Sequence, residues 1–149
     1  MTKPPSIARF EQFYWASVIV GWINTAVNWS TARAAFTANP LLVNYAWLLP
    51  LFQIIGLAIT IALWFFIVRR PSVVAKWVQV VFAALSGFGV LSAVFLAMTG
   101  RAPFGLQVVL GVLATILYIA AAVMLFRPDA KLWLGEGLDE DELIEEPRV

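Results

Sequence analysis

Residues 43–68 read VNYAWLLPLFQIIGLAITIALWFFIV, and none of these 26 residues carries a charge. A helix needs roughly 20 apolar residues to cross a hydrocarbon core of about 30 Å. The residues do not alternate as those of a barrel strand do, and backbone groups in lipid must bond within their own segment. We therefore predict a membrane-spanning helix, with a tilt or a kink at Pro50 because the run is longer than a span requires.

The rest of the chain is also poor in charge. No aspartate or glutamate occurs between Glu11 and Asp129, and the chain contains no histidine and no cysteine. Hydrophobic residues make up 62% of it and charged residues 13%, whereas soluble proteins have about 45–50% and about 25%. Ionised carboxylates are costly inside hydrocarbon, so this distribution predicts an all-α membrane protein with several spans.

Four apolar runs divide the chain into a membrane domain and a tail. We predict a transmembrane domain over residues 1–133. It contains four spans, at residues 10–29, 43–68, 77–99 and 104–126, and an interfacial segment follows the fourth span and ends at residue 133. Residues 134–149 hold seven of the nine acids, which predicts a disordered acidic tail. Docking of this tail to a basic partner is the alternative.

The first span has a second interpretation. Ala32, Arg33 and Ala34 resemble a signal-peptidase site that follows an apolar segment. The segment contains three tryptophans and two asparagines, which is an unusual composition for the apolar region of a signal peptide. We therefore favour a retained helix and a bundle of four transmembrane helices.

Lysine and arginine are distributed unevenly about the spans. Eight of the ten lie before span one, between spans two and three, or after span four, and only Arg33 and Arg101 lie on the other side. Cytoplasmic loops are enriched in basic residues, so both termini are predicted to be cytoplasmic. Basic and aromatic side chains at this side are the predicted interface anchors: Arg9, Arg70, Lys76, Trp77, Arg127, Lys131 and Trp133.

A similar short segment recurs at three predicted cytoplasmic corners. The segments are PSIARF at residues 5–10, PSVVAKW at 71–77 and PDAKLW at 128–133. Each has a proline, then a serine or aspartate suited to N-capping, then a basic residue that is followed within two positions by an aromatic. The recurrence indicates two related helical hairpins, or convergence of short interfacial loops on the same residue types.

Three stretches also resemble a known group of proteins. PPSIARFE at residues 4–11, NTAVNW at 24–29 and FRPDAKLW at 126–133 resemble small four-span proteins of alphaproteobacteria, especially sphingomonads, that have no assigned function. The resemblance implies a location in the cell inner membrane. Its motifs are anchoring motifs, so it implies no active site.

Polar and small residues recur at helical spacing within the spans. A polar stripe predicted to face the bundle interior comprises Ser17, Gly21, Asn24, Asn28, Gln53, Thr60 and Tyr118. Small residues predicted to allow close helix packing are Gly87, Gly89, Ala93, Ala97 and Gly111. The stripe can be packing alone or the lining of a polar pocket, and we favour packing because no ionisable residue accompanies it.

Three classes of function remain: an accessory or scaffold protein, a transporter or channel subunit, and an intramembrane enzyme. The spans offer no histidine, cysteine or central carboxylate, so we predict no catalytic residue, no metal site and no cofactor. We predict a non-enzymatic accessory subunit in the lipid bilayer that contacts no nucleic acid. Its partner would be a second copy or another membrane protein. The alternative is an oligomeric transporter or channel subunit for a small or lipophilic solute.

Overall fold

The computed structural model of the protein describes residues 3–101 and 103–137. Most of the predicted acidic tail, residues 138–149, lies outside them. The described residues form helices joined by turns, with a 3-10 turn at Val43–Tyr45. Its six α-helices are α1 (Pro5–Val27), α2 (Trp29–Thr37), α3 (Leu48–Val68), α4 (Val73–Met98), α5 (Leu106–Met124) and α6 (Pro128–Leu134).

Within the described ranges, three helices are long and apolar enough to cross a membrane: α3, α4 and α5. Helix α1 is 23 residues long, which is also sufficient for a span, but it carries Glu11, Gln12 and Asn24 and is less hydrophobic. The all-α part of the prediction is therefore confirmed, and the helices are consistent with a membrane protein. Three of the four predicted spans are candidate spanning helices, and the first predicted span, in α1, is not among them.

Helix α3 begins later than the predicted span. The separate 3-10 turn at Val43–Tyr45 precedes it, and α3 starts at Leu48. Pro50 consequently lies in the first turn, where the backbone N–H groups have no partner within the helix. The missing N–H of proline costs no helical hydrogen bond at this position, so Pro50 marks the start of the helix.

Asn28 separates α1 from α2. Its backbone angles, φ −100° and ψ 8°, depart from the helical region. Its side-chain amide donates to the backbone oxygen of Asn24 at 2.9 Å and to the Asn24 side-chain oxygen at 2.8 Å. Helix α2 follows with no buried residue. The predicted outer connection between the first two spans is therefore largely helical and exposed.

The helices pack unevenly. Helix α1 makes its most extensive contact with α5, and α5 in turn packs on α4. Helix α3 contacts its neighbours much less, and its buried residues are Leu63, Ile67 and Val68, all near its C-terminal end. As a result, the two helices of the first predicted hairpin (α1 and α3) make few contacts with each other, whereas those of the second (α4 and α5) are closely packed.

The buried core lies at the end of the bundle where the basic residues collect. Ile7, Phe10 and Tyr14 of α1 pack there with the end of α3, with Ala75 at the start of α4, and with the end of α5 and α6. We call this the inner end. Polar caps organise its corners: the Ser72 hydroxyl accepts a hydrogen bond from the Ala75 amide at 3.5 Å as the N-cap of α4.

Candidate functional site

Two of the repeated corner segments contact each other at the inner end. The Ser6 amide donates to the Asp129 carboxylate at 3.0 Å. Burial alone would raise the pKa of Asp129, but hydrogen bonds from the Ser6 side chain and amide, and from the amides of Ala130 and Asp129 itself, hold it below its usual value. This contact joins the start of α1 to α6.

Glu11 forms a second link at the inner end. One carboxylate oxygen accepts from the Trp64 indole N–H at 2.9 Å, and the other pairs with Lys3. The Trp64 ring also packs edge-on against Trp15, with 5.8 Å between centroids, and the Arg69 guanidinium lies 5.8 Å from the Trp64 centroid. The Glu11 carboxylate therefore connects α1 with α3 through an interfacial tryptophan.

Lys76, one of the predicted interface anchors, is almost fully buried, with 2% of its surface exposed. Its ammonium forms an ion pair with Glu136 at 2.5 Å and lies 4.5 Å from the centroid of the Phe126 ring. A buried ammonium requires such a partner because desolvation of an unpaired charge is costly. Glu136, the first acid of the predicted tail, thus packs on α4.

Gln79 lies three residues after Lys76 on α4 and is completely buried. Its side-chain oxygen accepts a hydrogen bond from the Tyr118 hydroxyl at 3.1 Å, and its amide nitrogen has no partner among the described residues. The Tyr118 and Tyr14 rings lie 5.8 Å apart, and the Tyr14 hydroxyl donates to the Thr60 backbone oxygen at 2.8 Å. Two hydrogen bonds and one ring contact therefore link all four long helices.

Gln79 was not among the residues predicted from the sequence. The signal that could have found it is a polar face on α4: Lys76, Gln79, Ala83 and Ser86 recur at helical spacing. The first three of these are buried. The hydrophobicity of the surrounding span obscured this face.

A cavity of 330 Å³ lies between α1, α3, α4 and α5. Three residues of the predicted polar stripe line it together: Ser17, Thr60 and Tyr118. Two further hydroxyls, those of Ser86 and Thr115, also line it, and neither was predicted from the sequence. The remaining lining is mostly apolar.

The other stripe residues lie elsewhere. Asn24 lines a separate cavity of 300 Å³ with Gln107 and Gly111 of α5. Gln53 lines an apolar cavity between α1 and α3. Asn28 is bonded to Asn24 at the end of α1. The stripe is thus divided among several places, with Gly21 half-buried on α1.

The predicted small-residue contacts differ from one another in their surroundings. A Cβ added at Gly87 would lie 3.6 Å from Ile119 Cδ1, and one at Gly111 would lie 3.7 Å from Asn24 Nδ2. A Cβ added at Gly89 would meet nothing within 4 Å. Ala93 is exposed and Ala97 is half-buried. Close approach between α4 and α5 therefore occurs at Gly87.

The remaining predicted anchors surround the inner end. The Trp133 indole donates to the Ile67 backbone oxygen at 3.2 Å, which joins α6 to α3. Trp77 is 54% exposed and packs edge-on against Phe126. Lys131 is half-buried, and three arginines are exposed: Arg9, Arg70 and Arg127.

The described residues contain no group of three or more histidine, cysteine, aspartate or glutamate side chains placed to hold a metal ion. The polar chemistry that the structure describes consists of ion pairs, caps and hydroxyl or amide contacts. Comparison of the chain with protein-family models, with curated proteins and with solved structures finds no match.

Proposed function

We propose that the protein is a non-enzymatic accessory or scaffold subunit of the cell inner membrane. One observation supports this role most directly: each acid in the described residues has a structural partner. Glu11 binds Lys3 and Trp64, Asp129 accepts from Ser6, and Glu136 pairs with Lys76. Carboxylates held in this way fasten helices together, and a general acid or base must instead be within reach of a substrate proton.

The proposed topology has four spans, with α1 as the first. Helix α1 is long enough to cross and packs along α5. The contact between Ser6 and Asp129 supports an even number of spans, because it brings the start of α1 to the same side as α6. The excess of lysine and arginine at these ends supports the cytoplasm as that side. The resemblance to four-span alphaproteobacterial proteins agrees with this arrangement.

The proposed partner surface is the outer half of α3. Its apolar side chains are exposed, with Phe52 at 57%, Ile54 at 64% and Ile55 at 45%. The helix is held to the rest of the bundle mainly at its inner end. Apolar side chains gain little from leaving equally apolar lipid, so a partner helix would bind here through close packing. A second copy and another membrane protein both fit this surface.

The accessory role can be tested by purifying the tagged full chain, in mild detergent, from the membranes of the cells that naturally produce it. We expect a stoichiometric membrane-protein partner, or a second copy, that is lost with Ile55→Trp on α3. Val81→Trp on α4, also at an exposed apolar position, is the matched control and should retain the partner. Recovery of the same assembly with both variants would contradict the assignment of this surface.

A transporter or channel subunit is the second candidate, and the 330 Å³ cavity favours it. The packed inner end argues against an open path, because Tyr14, Leu63 and Leu125 are all buried in the core there. A cysteine at Asn24 separates the two roles, and the chain has no other cysteine. We expect no reaction with a membrane-impermeant thiol reagent added outside, whereas rapid labelling would favour transport.

A further inference from the structure

Four hydroxyl side chains meet at mid-depth in the bundle. Ser17, Thr60, Ser86 and Thr115 each lie close to the middle of their own helix, on α1, α3, α4 and α5 respectively. All four line the 330 Å³ cavity. This depth corresponds to the centre of the bilayer in the proposed topology, where an unsatisfied polar group is costly.

Two of these hydroxyls are satisfied within their own helices. Ser17 donates to the Tyr14 backbone oxygen at 2.7 Å, and Thr60 donates to the Gly56 backbone oxygen at 2.8 Å. Serine and threonine in helices commonly bond back to the preceding turn in this way. Ser92, six residues further along α4 than Ser86, does the same with the Phe88 oxygen at 2.9 Å.

Ser86 and Thr115 depart from this pattern. No hydrogen bond joins either hydroxyl to another described residue. Both line the same cavity, one from α4 and one from α5. The cavity therefore presents two available hydrogen-bond donors from adjacent, closely packed helices.

The remainder of the cavity is suited to an apolar molecule. Ile59, Leu63 and Phe82 form part of its wall. Pockets for small ligands typically have volumes of about 300–1,000 Å³ and mostly apolar walls with a few convergent polar groups. Because α3 is held to its neighbours mainly near its inner end, the cavity is accessible from the side, between helices.

We propose that this cavity binds a lipophilic carbonyl compound that enters from the bilayer. Its carbonyl oxygens accept hydrogen bonds from the hydroxyls of Ser86 and Thr115, and its apolar body packs on Ile59, Leu63 and Phe82. A carbonyl compound fits because each free hydroxyl can donate one hydrogen bond to a carbonyl oxygen. A ligand without donors of its own also loses less by leaving water for the bilayer, from which it would enter the cavity. The site is independent of whether the protein acts as a scaffold.

A pair of probes of the same ring size tests the proposal on the full-length protein in phospholipid nanodiscs. The probes are radiolabelled 2-methyl-1,4-naphthoquinone and 2-methylnaphthalene, which lacks the carbonyls. Equilibrium dialysis against empty nanodiscs separates binding from partition into lipid. The absence of cysteine prevents thiol addition to the quinone. We expect saturable binding of one quinone per chain and only lipid partition of the hydrocarbon.

Variants locate the site. Replacing both donors, with Ser86→Ala and Thr115→Val, should weaken quinone binding roughly tenfold or more, because both hydrogen bonds to the carbonyl oxygens are lost. Ser92→Ala, which removes a hydroxyl already bonded within α4, should leave binding unchanged. Ala114→Leu should fill the cavity and abolish binding.

Two results would overturn the proposal. One is equal binding of the quinone and the hydrocarbon to the unaltered protein, a comparison that needs no variant to fold. The other is undiminished quinone affinity in the folded double variant, which would mean that the ligand binds elsewhere.

Discussion

The Ser6 amide lies 3.0 Å from the Asp129 carboxylate, although 123 positions of sequence separate the two residues. This hydrogen bond connects the first turn of α1 with α6, beside the buried residues of the inner end. Ion pairs and indole contacts at the same end join α1 to α3 and Glu136 to α4. Contacts at the inner end therefore join the long helices to one another.

Asp129 should stabilise the fold in a pH-dependent manner. Its pKa is lowered in the folded protein, so its contribution is complete above the pKa of the unfolded chain, about 3.9, and is lost as pH falls through the folded value. Asp129→Ala should reduce stability by about 1 kcal/mol near pH 7. The difference between Asp129→Ala and the parent protein should shrink as pH falls through the folded pKa, as measured by thermal unfolding in detergent.

Ser6→Ala is the matched control for this prediction. It removes the side-chain hydrogen bond to Asp129 but keeps the amide donor, so it should cost less than Asp129→Ala. A destabilisation by Asp129→Ala that is the same at every pH would show that the carboxylate charge is not involved.

The pair of Lys76 and Glu136 should be strongly coupled. Glu136→Gln leaves the Lys76 ammonium buried without its counter-ion, and breaking a fully buried pair costs about 3–5 kcal/mol. Glu136 is 22% exposed, so we expect a smaller loss, on the order of 2 kcal/mol. Adding Lys76→Met to Glu136→Gln should recover much of that loss in a double-mutant cycle. Additive effects of the two substitutions would mean that the residues do not interact.

Leucine substitutions on α4 should distinguish two neighbouring glycines. Gly87→Leu would force a side chain against Ile119, and overpacking of this kind costs about 1–3 kcal/mol. Gly89→Leu should be tolerated, because a Cβ there has open space. Both replacements change helix propensity equally, so the difference in thermal stability measures packing alone. A greater loss at Gly89 would place the helix contact on that residue instead.

The sequence predicts the helices better than their contacts. Long uncharged runs are sufficient to identify α3, α4 and α5, and the proline and serine at residues 71–72 are sufficient to predict the start of α4. Which helices pack together depends on side-chain fit between distant segments, and apolar periodicity does not specify it. Hence the extensive contact of α1 with α5 and the few contacts between α1 and α3 were not predicted.

The contacts of single polar residues in the interior were also not predictable from the sequence. Of the residues in the predicted polar stripe, Ser17, Thr60 and Tyr118 line the central cavity together, whereas Asn24 and Gln53 line other spaces. Burial of Lys76 could not be foreseen, because its partner Glu136 is 60 residues away. Long-range pairs of this kind leave no local pattern in the sequence.

The most direct measurement determines the side of the membrane that each connection occupies. Fusions of cytoplasmic and periplasmic reporters can be placed after Ala38, Arg70, Arg101 and Val149. Four spans with both ends inside predict cytoplasmic activity at Arg70 and Val149 and periplasmic activity at Ala38 and Arg101. Cytoplasmic activity at Ala38 would show that α1 does not cross, and a periplasmic Val149 would contradict the proposed topology.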